Sequence, residues 1–140
     1  MSDDIVIMAI KPKYAKAIYS GDKCWEFRKA PPPLYRLVFI YESAPVSAIT
    51  GTCVFTASVS GLPYDVLNLL RKVSQGAPRI GISESELAAY AAGRSVTALY
   101  VDQATPLDAP VHLAAHPPQN WCRLQSLRAP GNYISSLKFR

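Results

Sequence analysis

Lys23, Glu26 and Arg28 stand close together in the segment GDKCWEFRKAPP, with Lys11 and Lys13 a short way upstream. On an extended strand, residues two apart point to the same side, so Glu26 and Arg28 can pair with one another or converge on one ligand. A solvated surface pair would do little. Lining a cleft, Arg28 offers a planar donor fork to a phosphate or a base edge, and Glu26 accepts from an amino group. A lysine whose proton affinity is depressed by its neighbours, next to a carboxylate, also fits general acid–base work, with Lys23 as the acid and Glu26 as the base in phosphodiester or amide cleavage. Spacing alone leaves the surface pair, the binding site and the catalytic pair all open.

Other chemistries lose support because their motifs are absent. The chain has no G-x-x-x-x-G-K-[ST] loop, no G-x-G-x-x-G, no G-x-S-x-G elbow and no H-E-x-x-H. Cys24, Cys53 and Cys122 are odd in number and far apart, so free thiols are expected rather than a disulfide framework. With His112 and His116 the only imidazoles, no metal site or cofactor is expected. The formal charge is +5, from 15 basic and 10 acidic residues. It is concentrated between Lys11 and Arg36 and again in Arg123, Arg128, Lys138 and Arg140, a distribution that suits a polyanion but also an inert solvated face.

Those residues need elements to position them. Ile5 to Ile10 reads as a buried strand stopped by Lys11-Pro12, and Pro12 to Ser20 as a short helix with Gly21 as its C-terminal cap. Lys23 to Lys29 alternates as a strand, placing Trp25 and Phe27 toward the barrel core and Glu26 and Arg28 on the opposite side. Lys23 then falls on the aromatic face unless the strand begins after it. Tyr35 to Glu42 and Ala48 to Ser58 read as strands, the latter with a bulge or bend at Gly51. LPYDVLNLL, from Leu62 to Leu70, is helical in period, and Ser83 to Glu86 spells a capping box for a helix ended by Gly93. Val96 to Val101 and Val111 to Ala114 read as two further strands, His116 to Asn120 as a turn, and Ala129 to Arg140 as a last strand. Strands, a helical insert over residues 62–93, and strands again predict one α+β domain over residues 1–140 with a curved sheet or barrel. No apolar run is long enough for a bilayer and the N-terminus is acidic, so a cytoplasmic protein with no membrane partner is expected.

The stretch IKPKYAKAIYSGDKCWEFRK, Ile10 to Lys29, resembles the signature of the ASCH family, a branch of the PUA-like superfamily: I-K-P-x-Y-x-x-x-I-x-x-G-x-K-x-x-E-x-R. VFIYESAPV, Val38 to Val46, is similar to the family's I-Y-x-S-x-P segment, and PPQNW, Pro117 to Trp121, to its P-P-Q-x-[WF] element. Three separated matches in order are more specific than any one of them.

The resemblance implies a small PUA-like β-barrel flanked by short helices, with a cleft beside the first helix that binds RNA, another nucleic acid or a nucleotide. It implies a site made of Lys11, Lys23, Glu26, Arg28, Tyr41, Ser43, Gln119 and Trp121. From the residues themselves, Trp121 in its polar turn offers a stacking surface, and Tyr41 and Ser43 at a strand end either present hydroxyls at the cleft mouth or satisfy nearby backbone. Some members are enzymes, either amidohydrolases of acetylated cytidine or ribonucleases. The amidohydrolase group resembles this chain at Gly21, Lys23 and Arg28 but has threonine where Glu26 stands, so that activity does not transfer residue by residue. The oligomeric state is not legible.

Overall fold

The computed structural model describes residues 5–74, 78–113 and 119–124. Six strands, β1 (Val6–Ile10), β2 (Trp25–Arg28), β3 (Leu37–Glu42), β4 (Ala48–Gly61), β5 (Val96–Val111) and β6 (Trp121–Arg123), form one sheet in the order β2-β5-β4-β3-β1-β6. Three short helices accompany it: α1 (Pro12–Ser20), α2 (Pro63–Val73) and α3 (Glu84–Ala91). The architecture is α+β, a mixed sheet curled into a half-barrel. No helix among the described residues is long and apolar enough to cross a membrane.

β1 pairs in parallel with β3 and carries apolar residues on both faces. Parallel strands are covered on both sides, which is why Ile5 to Ile10 spells an unbroken apolar run. Val6, Met8 and Ile10 join Phe55, Leu99 and α1's Ala15 and Ile18 in the core under α1, while Ile7 packs with Phe39 and Ile49 on the other face. A third core lies between α2, α3 and the β2–β5 ladder, built from Val66, Leu67, Leu70, Leu87 and Ala91 against Phe27, Val96 and Ala98. Burying each such large side chain contributes about 1.5–3 kcal/mol.

The first helix runs as predicted, from Pro12 at its start to Gly21, whose left-handed φ of 84° terminates it. Ser83 caps α3 as predicted, its hydroxyl accepting the Glu86 backbone N–H at 3.1 Å. Gly51 lies beside a register shift in the β3–β4 ladder, as the bulge reading expected. It is also a close-packing point, because a Cβ there would run into the Tyr19 ring and the Thr105 carbonyl.

Two readings need correction. Val96–Val101 and the segment at Val111 are one strand of 16 residues, kinked where Gln103 adopts φ 52°. Beyond Tyr100 its β2-facing edge is unpaired by β2, and Pro106, which lacks an N–H, stands opposite Gly51 where the ladder to β4 shifts register. The faces of β2 are also reversed. Trp25 and Phe27 pack with the α2–α3 core, whereas Glu26 lies opposite Leu99 and so faces the hollow of the half-barrel. Ala114, the turn residues 116–118 and the strand expected at 129–140 lie outside the described residues.

All three cysteines are free thiols. Burial pushes Cys53 up to about 12, so it is a neutral core side chain at physiological pH.

Candidate functional site

The curl of the sheet brings its two edges together, and the groups that join them build the site. Arg28, near the end of edge strand β2, donates from Nη1 to Asn120 Oδ1 at 2.7 Å and from Nη2 to the Ala9 carbonyl at 2.7 Å. Trp121, on the opposite edge strand, donates its indole N–H to the Ala30 carbonyl at 2.8 Å. Beside this seam lies a cleft of about 700 Å³ between the strand ends, α1 and α3. Its polar lining includes Lys11, Lys13, Lys23, Glu26, Arg28, Ser43, Glu86 and Gln119; Tyr14, Phe27, Ile82, Ala89 and Tyr90 give it an apolar and aromatic wall.

Glu26 and Arg28 are the predicted pair, and they are far from a solvated one. Glu26 is 5% exposed, and its Oε2 accepts from Arg28 Nη2 at 2.7 Å and Nε at 3.2 Å. With Asn120 and Ala9 as further acceptors, a single Nη1 hydrogen of Arg28 is left uncommitted among the described residues. Arg28 therefore ties β2 to β1 and to the Gln119–Asn120 bend, and holds Glu26 in place, before it offers anything to a ligand. Glu26 Oε1 takes none of the Arg28 donors.

Lys23 precedes β2, which begins at Trp25, so it escapes the strand alternation that would have set it apart from Glu26. It is 2% exposed. Its Nζ donates to the Ile80 carbonyl at 3.0 Å, lies 3.8 Å from Glu26 Oε1, and sits about 5 Å from the ring centres of Tyr14 and Phe27 (5.0 and 5.1 Å). Burial holds its pKa below the ordinary lysine value; Glu26 pulls it up and Arg28 pushes it further down. The floor of the cleft thus presents a buried ammonium and an open carboxylate oxygen side by side.

The mouth is held differently. Glu86 on α3 accepts from Lys13 Nζ at 3.1 Å and Tyr14 Oη at 3.0 Å, across the gap from α1. Lys13 foremost, then Tyr14 and Ser83, bring the Glu86 carboxyl down to about 2. Tyr14 leans its ring on the core under α1 while its hydroxyl reaches this cluster.

Of the residues proposed from sequence, Lys11, Lys23, Glu26, Arg28, Ser43 and Gln119 line one cleft. Tyr41 and Trp121 do not line it. Tyr41 is 4% exposed in the core with Ile7 and Phe39, on the other face of β3. Trp121 packs against the core under α1 and directs its N–H to Ala30, so it closes the sheet rather than presenting a stacking face to the cleft.

Sequence reasoning missed the loop before α3, together with Glu86, Tyr90 and Asn120. The loop docks alongside residues 21–24: the Cys24 N–H donates to the Arg79 carbonyl at 2.8 Å, and Arg79 Nη1 donates to the Gly21 carbonyl at 3.2 Å. Gly81 takes φ 71° directly against the Lys23 stem, leaving no room for a Cβ. Its only local signal was a glycine just before a capping box.

No protein-family model matches the chain, and no curated protein matches it at a significant level. Solved structures do. The chain is similar to the crystal structure of the ASCH protein of Zymomonas mobilis, at 26% identity over 86% of this chain and 87% of that one, with a TM-score of 0.71. Crystal structures of two variants of that protein are similar to the same degree. A tyrosine-to-phenylalanine variant gives 25% identity, coverage of 86% and 89%, and a TM-score of 0.72. A serine-to-alanine variant gives 27%, 86% and 87%, and 0.70.

Proposed function

Because the chain belongs to the ASCH family, we propose that its cleft binds single-stranded RNA by taking in one unstacked nucleotide, the base on the Lys23–Glu26 floor and the phosphates at the lysine-lined mouth. The observation that carries this reading is the floor itself: a buried donor, Lys23 Nζ, 3.8 Å from a buried acceptor, Glu26 Oε1. Neighbouring donor and acceptor positions are what the edge of a nucleobase offers in return. A phosphate suits that floor poorly, because Glu26 is itself an anion and Arg28 is committed to protein acceptors. Phosphate suits the mouth, where Lys11 and Lys13 lie. A cleft of about 700 Å³ is of the size that holds a small ligand, and a base paired within a duplex could not enter it.

Fluorescence anisotropy with labelled RNA tests this. Single-stranded RNA is expected to bind more tightly than duplex of the same length, with log affinity falling linearly in log salt by about 0.7 per phosphate neutralised, and Lys11→Ala shallower by about that amount. Equal binding of duplex, or affinity that ignores salt, would overturn the proposal.

One observation favours a second reading, hydrolysis of RNA or of a modified nucleoside in the same cleft. Lys23 is held short of its ordinary proton affinity, which eases proton release to a leaving group, and Glu26 Oε1 is open to accept a proton. If turnover occurs, Glu26→Gln, which keeps an acceptor oxygen on the floor, is expected to lower kcat by about 10²-fold or more while substrate still binds. Single-turnover assays on RNA and acylated nucleosides that yield no product from the wild type would leave binding alone.

A further inference from the structure

Three side-chain donors on two elements converge on one carboxylate at the cleft mouth. Lys13 Nζ and Tyr14 Oη reach Glu86 Oε2 at 3.1 and 3.0 Å, and Ser83 Oγ reaches Oε1 at 3.0 Å. An ammonium, a phenol and an alcohol gathered around two oxygens that share a negative charge are the donors a phosphate would use. The contact is easily exchanged: the Lys13 and Glu86 side chains are 63% and 47% exposed, and ion pairs in water are individually weak. Glu86 can also swing away without unseating its helix. The cap on α3 uses the Glu86 backbone N–H rather than its carboxylate, and Leu87 and Ala91 stay fully buried.

We infer that Lys13, Tyr14 and Ser83 form a phosphate subsite, that Glu86 fills it in the free protein, and that the phosphate of an incoming nucleotide displaces the Glu86 carboxylate. The inference rests on the proposal that a base occupies the floor, and it gives the mouth a selective role. Any anion must first displace an internal one. Bare phosphate recovers little from that exchange, whereas a nucleotide also gains the floor contacts at Lys23 and Glu26. Glu86 thus discriminates against phosphates that bring no base.

Calorimetric titration of the full chain with nucleosides, their 5′- and 3′-monophosphates and inorganic phosphate provides the test. Glu86→Gln is expected to tighten monophosphates relative to the parent nucleosides, and inorganic phosphate in absolute terms, by about three- to tenfold. Adding Lys13→Ala is expected to erase both gains. If Glu86→Gln changes neither the monophosphate-to-nucleoside ratio nor phosphate affinity, or weakens either, the subsite is wrong. If nucleosides bind to no variant while phosphate still gains on Glu86→Gln, the base-binding proposal falls and the phosphate subsite stands.

Discussion

Glu26→Ala is expected to destabilise the fold by about 3–5 kcal/mol, the cost of removing one partner from a buried ion pair and leaving the other uncompensated. The magnitude follows from burial. Lys23, Glu26 and Arg28 have side chains 1%, 7% and 12% exposed, so neither cation can exchange the lost carboxylate for bulk water as a surface pair would. The two cations respond differently. Arg28 keeps its charge at any accessible pH and retains Asn120 and Ala9 as acceptors. Lys23 can shed its proton, and burial already favours that.

A pH signature follows. A lysine whose folded pKa lies below its unfolded 10.5 leaves the unfolded chain holding more protons between the two values, so its contribution to stability rises with pH through that window. Without Glu26 to raise it, Lys23 titrates lower still. The stability gap between wild type and Glu26→Ala is therefore expected to narrow as pH rises toward the wild-type Lys23 pKa. Urea unfolding at a series of pH values measures both effects. A cost below about 1 kcal/mol at pH 7 would mean that the Lys23–Glu26–Arg28 cluster behaves as a solvated surface pair instead.

How much of this could be seen in the sequence depended on whether the controlling contact was local. Pro12 and Gly21 bracket α1 because proline costs nothing at a helix start and glycine accepts φ 84°, and both facts belong to single residues. Ser83 and Glu86 spell α3's start for the same reason. Alternation put Glu26 and Arg28 on one side of β2, but which side faced a core depended on α2 and α3 packing over Phe27, and periodicity carries no sign. The kinked β5 looked like two strands because the bend at Gln103 and the prolines break the alternation, while pairing to β4 resumes beyond them through shifts of register. Arg28's seam to Asn120, Glu86's reach to α1 and the Ile80 carbonyl under Lys23 join residues 92, 72 or 73, and 57 positions apart. No spacing rule connects such residues, so the family signature marked the charged groups of the floor and left the loop that shapes it unmarked.

That loop yields the second large effect. Gly81→Ala is expected to cost about 2–5 kcal/mol, from two sources that can be separated: roughly 1–2 for an L-residue in the left-handed region and roughly 1–3 for forcing atoms into a filled space. The second source is specific to this position, because a Cβ on Gly81 would lie 2.6 Å from Cβ and Cγ of Lys23 and 2.9 Å from its Cδ. Gly93 supplies the control. It has a similar φ of 81° and nothing within 4 Å of where an alanine methyl would sit, so Gly93→Ala should show the backbone cost alone, about 1–2 kcal/mol. The difference between the two variants isolates the pressure on the Lys23 stem. Relief of that pressure moves either the loop or Lys23, and either shift lengthens the 3.0 Å bond from Nζ to the Ile80 carbonyl and disturbs the donor–acceptor spacing at Glu26. Gly81→Ala is accordingly expected to weaken ligand binding at temperatures where the variant remains folded, while Gly93→Ala leaves it unchanged. Equal stability losses for the two variants, with ligand affinity intact in both, would mean that Gly81 serves only the turn and that Lys23 needs no space made for it.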